Sequence, residues 1–297
     1  MAVIGDAVGL TLDQIVVATD FTPVSEMAVS YAAGFAKWFD SKLTVAHVVD
    51  LSAATQMDAG LLGISIDTMR RHSAEKVENL LNDLSLDGVH ALGRTLEAHN
   101  PAAKVVCLAN EIRASLLVIG THSRTGLNRM ILGSFAEGVI HHANCPVLTI
   151  GPKVKVPPME DLPFRTIVFA TDLEDDSVQK AGVALAFAQD SLARIYMCHV
   201  ISHAPRDLTN SLKLQFTAEK RLSKLIPAAA YEWCSPECIL EYGNPAEHIL
   251  HLAEQKRADL IVLGARRNTS WFTHLTQGTV AHVLSEAACP LMTICGE

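Results

Sequence analysis

The residues in this chain best suited to holding an anion lie in one stretch, GTHSRTGLNRMILGS, from Gly120 to Ser134. An apolar run, SLLVI, precedes it and a helical pattern, FAEGVIHHA, follows. Gly120 lets the backbone turn off a strand, and Gly133 lets a ligand approach the amides where the next helix begins. Unpaired N–H groups and the dipole at a helix N-terminus favour an anion. Arg124 and Arg129 add charge that a phosphate can use. A ligand-free reading stands beside this one. Ser134 and Glu137 have the S-x-x-E spacing of a capping box, and both arginines can simply be solvated.

Other chemistries are less well supported. A Walker A loop needs Gly-Lys-Ser/Thr at its end, and a dinucleotide fingerprint needs G-x-G-x-x-G after the first strand, where this chain reads ATDFTPVSE. A serine hydrolase would carry G-x-S-x-G on a strand–helix turn, which is absent. His141 and His142 are adjacent, so on a helix their side chains diverge and read as a solvated helix end. His47 and His199 fall inside strand-like runs and read as packed or hydrogen-bonded. The acidic run Glu174-Asp175-Asp176 suits a helix start without a metal. Cys234 and Cys238 have no second pair nearby to complete a zinc site. No general base is evident near the proposed anion loop, so no catalytic or metal-ligating residue is assigned.

The elements that position the loop are written twice. IVVATDF (15–21) recurs as IVFATDL (167–173), and LTVAHVV (43–49) as IYMCHVI (195–201), each 152 residues later. LLVIG (116–120) recurs as LIVLG (260–264), and NCPVLTI (144–150) as ACPLMTI (288–294), each 144 residues later. Four segments in the same order indicate a duplicated domain. The boundaries follow: residues 1–150, a proline-rich linker 151–163, and residues 164–297.

Within a copy, short β-branched runs at 14–19, 43–49, 115–119 and 146–150 predict strands buried on both faces, with a weaker one at 90–97. Thr22-Pro23 predicts a helix start, continued by Ala28, Tyr31, Ala32, Phe35, Trp38 and Phe39. Further helices are expected at about 67–84 and at 102–112. The fold class is therefore α/β: two similar domains, each an open, mostly parallel five-stranded sheet flanked by helices. Ligands in such sheets bind at the carboxyl ends of strands near the switch in strand order, here the ends of the first, second and fourth strands. The two terminal strands read as sheet edges that invite pairing with one another.

The chain has 297 residues, 49% hydrophobic and 19% charged, with a net charge of −8. That balance suits two globular domains and argues against nucleic acid or an anionic membrane as the main partner. The N-terminus lacks a basic n-region, and no apolar run approaches membrane-spanning length. Seven cysteines scattered through apolar runs read as buried, reduced thiols of a cytoplasmic protein.

These segments resemble the universal stress protein family in its tandem form, over about 12–150 and 164–295. In ATP-binding members the pattern after the fourth strand is G-2x-G-9x-G-(S/T). Gly120, Gly133 and Ser134 match it, and Ser123 replaces the middle glycine. The resemblance implies a Rossmann-like, adenine-nucleotide-binding domain in the first copy. It implies that Asp20 holds ribose or adenine, that the backbone at Val48 faces the adenine edge, and that the loop holds phosphates. The implied contact set is Ala18, Thr19, Asp20, Val48, Ile119, Gly120, His122, Ser123, Arg124, Arg129, Gly133, Ser134 and Phe135.

The implied ligand is ATP, with Mg²⁺ accompanying its phosphates, and hydrolysis at most slow. The implied role is a stress-response regulator acting on a protein partner; an ATP-independent interaction module is the alternative. The terminal strands imply an intramolecular pseudo-dimer, with a homodimer also compatible. The second copy looks degenerate. Arg267 stands at the middle glycine, and equal spacing from the Cys-Pro dipeptide sets Gln277 opposite Gly133 and Gly278 opposite Ser134. Sliding by one to use Gly278-Thr279 costs an insertion in the loop, and either way the cradle is altered.

Overall fold

A computed structural model of the chain describes residues 11–52, 59–121, 133–155, 164–202, 207–265 and 278–295. The first half runs β1 (Gln14–Ala18), α1 (Pro23–Phe39), β2 (Lys42–Asp50), α2 (Ala59–Leu86), β3 (Ala91–Ala98), α3 (Pro101–Glu111), β4 (Leu116–Gly120), α4 (Ser134–His142) and β5 (Val147–Ile150). The second half runs β6 (Thr166–Ala170), α5 (Ser177–Ser191), β7 (Arg194–Ile201), α6 (Leu208–Ser223), α7 (Ala230–Trp233), β8 (Pro236–Tyr242), α8 (Pro245–Lys256), β9 (Leu260–Ala265), α9 (Thr279–Glu286) and β10 (Leu291–Cys295).

The ten strands form one sheet, ordered β3-β2-β1-β4-β5-β10-β9-β6-β7-β8. Pairing inside each half is parallel. The halves meet at an antiparallel seam, where Leu291 pairs Thr149, Met292 pairs Leu148 and Thr293 pairs Val147. The terminal strands therefore lie at the centre of the whole sheet, and β3 and β8 form its edges. Joining them removes two rows of unpaired backbone groups that would otherwise template aggregation.

Alternation along the strands divides the core between the two faces, as expected for a sheet covered on both sides. Ile15 and Val17 pack with Phe35, Leu148, Phe169, Phe187 and Met292 on one face. Val16 and Ala18 pack with Leu117, Val139, Ile140, Ile261 and Leu291 on the other. Aromatic rings bridge the halves on the first face. Phe35 lies 5.5 Å from Phe164 and 6.1 Å from Phe187, centroid to centroid. Lys153 and Glu286 add an exposed ion pair at 2.5 Å, a minor contribution in water.

Local signals account for the helix starts. Thr22 and Ser25 cap α1 reciprocally and Pro23 occupies its first turn. Asn100 caps α3 and Asn244 caps α8, each followed by proline.

Three expectations need correction. α2 begins eight residues before its expected start at 67, because Gly60 and Gly63 in the apolar run AGLLGISI gave no helical periodicity. Trp38 is half exposed, off the buried stripe of α1. Cys107 and Cys238 are exposed rather than buried.

Candidate functional site

In each half the strand order reverses beside the first strand, between β1 and β4 and between β6 and β9, and a cleft opens there at the carboxyl ends. The first has a volume of about 520 Å³ and the second about 590 Å³. Both lie within the roughly 300–1,000 Å³ of small-molecule sites.

A hydrogen-bond network shapes the first cleft. The Thr19 backbone N–H donates to the Ala46 carbonyl at 2.9 Å, tying the end of β1 to β2. His47 Nδ1 donates to the Thr19 carbonyl at 2.8 Å. The Thr19 hydroxyl lies 3.1 Å from the Ser25 hydroxyl and accepts from the Phe21 N–H at 3.0 Å. These bonds hold Phe21 in the left-handed region, at φ 61°. Between Thr19 and Phe21, Asp20 uses Oδ1 to accept from the Thr22 N–H and hydroxyl. Asp20 is thus a carboxylate placed at the cleft by its backbone and oriented by the cap of α1.

The second half repeats this network. His199 Nδ1 donates to the Thr171 carbonyl at 2.8 Å, Thr171 donates to Ser177 at 2.8 Å, and Leu173 has φ 60°. Asp172 accepts from the Glu174 N–H.

Opposite Asp20, α4 starts at Ser134 with Gly133 as its N-cap, and no side chain caps it. The S-x-x-E capping box expected for Ser134 and Glu137 is not formed. Ser134 is the first helical residue rather than the cap, one position too late for that geometry. The start of α4 therefore presents backbone amides to the cleft, which Gly133, Ser134, Phe135 and Ala136 line.

Ala18, Thr19, Asp20, Val48, Gly120, Gly133, Ser134 and Phe135 all line the first cleft. Ile119 is buried in β4 beneath it and is not among the lining residues. His122, Ser123, Arg124 and Arg129 lie outside the described residues, as do Arg266, Arg267 and Gln277.

The sequence missed Asp50, Thr121 and Glu137, which also line the cleft. Hydrogen bonds from Ser52 hold the Asp50 carboxyl below the usual carboxylate range, so it is charged at neutral pH. The cleft thus has two carboxylates, Asp20 and Asp50, at the β1–β2 side, where acceptors suit hydroxyl and amino donors. At the α4 side it presents backbone amides together with the Glu137 carboxylate. Among the described residues, no group of three or more His, Cys, Asp or Glu is arranged to hold a metal ion. No helix among them is long and apolar enough to cross a membrane.

Gly120 is fixed by close approach. A Cβ there would lie 2.9 Å from the Val24 carbonyl oxygen and 3.0 Å from the Ser25 nitrogen. In the second half, the same position on Gly264 meets the Lys180 side chain, 2.7 Å from Cδ and 3.1 Å from Nζ. Lys180 is buried and paired with Asp176 at 2.6 Å. The matching position in the first half is Ala28.

The second cleft is also better preserved than the spacing suggested. Gly278 is the N-cap of α9 and Thr279 its first residue, as Gly133 and Ser134 are for α4. Gln277 is therefore not the counterpart of Gly133. α9 has 8 residues against 9 in α4, so counting back from the Cys-Pro dipeptide misplaces the helix start by one.

The Universal stress protein family profile matches residues 11–151 and again 163–294. The chain belongs to the universal stress protein family. Its two halves are tandem copies of that domain. The chain is 35% identical over 138 residues to a universal stress protein of Methanocaldococcus jannaschii, a match covering 46% of this chain and 81% of that relative. Its fold is similar to the crystal structure of a universal stress protein from Archaeoglobus fulgidus. The TM-score is 0.71 at 19% identity, over 96% of this chain and 97% of that one.

Proposed function

We propose that this universal stress protein is a stress-response regulator that binds ATP in the cleft of its first half. The uncapped start of α4 at Gly133, facing Asp20 across the switch point of the sheet, carries the reading. Anions favour helix N-termini, so the phosphates belong beside Gly133 and Ser134. Carboxylates accept from ribose hydroxyls, so the nucleoside belongs beside Asp20, with the backbone at Val48 along the adenine edge. Asp20 and Asp50 together repel phosphate at the β1–β2 end against Glu137 alone at the α4 end, where amides also compensate, which favours this polarity over the reverse.

Mg²⁺ accompanies the phosphates, since it commonly binds through substrate phosphates with one or two carboxylates. The protein acts in the cytoplasm as a switchable binding module, and the nucleotide alters its contacts with a protein partner. The seam between β5 and β10 supports an intramolecular pseudo-dimer, built from residues 1–150 and 164–297 around the 151–163 linker.

Calorimetric titration of ATP into the wild type and Gly133→Val tests the site. Gly133 has φ −60° and ψ 141°, which any residue adopts, so valine should leave the fold intact. The expected result is at least a tenfold loss of affinity with unchanged circular dichroism. Equal affinity would remove the α4 amides from the site. No binding by the wild type would instead favour the ATP-independent interaction module.

A further inference from the structure

The seam between the halves places two cysteines from distant parts of the chain together. The β5–β10 register pairs Thr293 with Val147. Beyond that pair, Cys145 sits in the bend just before β5 and Cys295 ends β10, close enough that Cys295 acts electrostatically on the Cys145 thiol. Both side chains pack against the same core, on the face that holds Val139, Ile140 and Leu291. Each is partly exposed, and neither is in a disulfide in this structure. The Cys295 thiol donates to the Ile140 carbonyl at 2.9 Å, which keeps it directed toward α4 rather than solvent. The seam has a second end, related by the same register, where Cys289 falls opposite Gly151, so only one end carries a pair.

We propose that Cys145 and Cys295 are a modification site at which a hydroperoxide closes a disulfide, covalently locking the two halves at their shared strands. The Cys295 sulfur attacks the peroxide O–O bond, giving a sulfenic acid and releasing an alcohol, or water from hydrogen peroxide. The Cys145 sulfur then displaces the sulfenic hydroxyl, which leaves as water. Two thiols have lost two electrons and the peroxide has gained them. Burial pushes the Cys145 thiol up to about 12, with the neighbouring Cys295 contributing, so little thiolate is present at neutral pH. The resolving step at Cys145 is accordingly slow, and faster in alkaline buffer. The bond would add a covalent link to a junction held by backbone pairing, core packing and the Lys153–Glu286 ion pair.

The test is peptide mapping of the full chain, treated with hydrogen peroxide and alkylated without reduction. The expected product is a monomer in which the peptide bearing Cys145 is joined to the carboxyl-terminal peptide. Fragmentation should assign the bond to Cys295 rather than Cys289, and dithiothreitol should reverse it. The urea midpoint of the oxidised wild type should rise above that of the reduced protein, and Cys295→Ser should show no such rise. Complete alkylation of both thiols after oxidation would overturn the proposal. So would a bond from Cys145 to Cys289, linkage only between chains, or over-oxidation of either thiol without a bond.

Discussion

Replacing the glycine that ends the fourth strand of each half should have unequal effects, and the inequality follows from what each missing Cβ would touch. In Gly120→Ala the new methyl group would lie 2.9 Å from the Val24 carbonyl oxygen and 3.0 Å from the Ser25 nitrogen. Those are backbone atoms at the start of α1, fixed by the Thr22–Ser25 cap and the Thr19–Ser25 contact. They cannot rotate away, so β4 and α1 must separate. Overpacking of this kind costs about 1–3 kcal/mol. Restricting the unfolded chain returns about 0.4–1 kcal/mol. The net loss is about 1–2 kcal/mol, or about 2–8 °C in melting temperature for a domain of this size.

Gly264→Ala meets the far end of Lys180, which can shift without moving backbone, so the loss should stay under about 1 kcal/mol. Thermal unfolding followed by circular dichroism compares the two variants. Gly120→Ala should also weaken ATP binding, because the displaced segment adjoins Asp20. A Gly120→Ala protein as stable as wild type, or a Gly264→Ala protein less stable than Gly120→Ala, would refute the reasoning.

Thr149 is fully buried in β5, and its hydroxyl has no hydrogen-bond partner among the described residues. Thr149→Val should therefore raise stability by about 1 kcal/mol in urea denaturation, since an unsatisfied buried hydroxyl is replaced by an isosteric methyl. His141 has its pKa lowered, chiefly by burial, with Glu137 opposing and His142 assisting. The folded chain therefore binds this proton less readily than the unfolded chain, whose histidine titrates near about 6.5. Its contribution is intact above that value and lost as pH falls below it. His141→Gln should flatten the stability profile between about pH 7 and 5, measured by urea midpoints across that range.

Much of the fold was legible because each half repeats its strands with the same residue types. The sheet class, the strand ends and the pairing of terminal strands all follow from IVVATDF and CPVLTI and their counterparts. The Thr–His contact was also there to be found: the histidine follows the threonine by 28 residues in both halves. Sequence reading gave His47 as packed or hydrogen-bonded, but could not name the partner, because spacing does not show which carbonyl a ring nitrogen meets. The start of α9 stayed between two registers in the sequence because one residue passes from helix to loop, which changes no residue type. Asp50 was missed as a cleft residue because its place depends on β2 extending past its apolar run. The substitution of Lys180 for Ala28 carries no local signal, since both positions lie on helical stripes that read as amphipathic.

The central claim is that the first-half cleft receives an adenine nucleotide, and photolabelling with 8-azido-ATP tests its location directly. The account predicts saturable labelling, competed by ATP, on peptides from 11–52 or 101–121. Labelling confined to the second half, or none that ATP competes away, would contradict it.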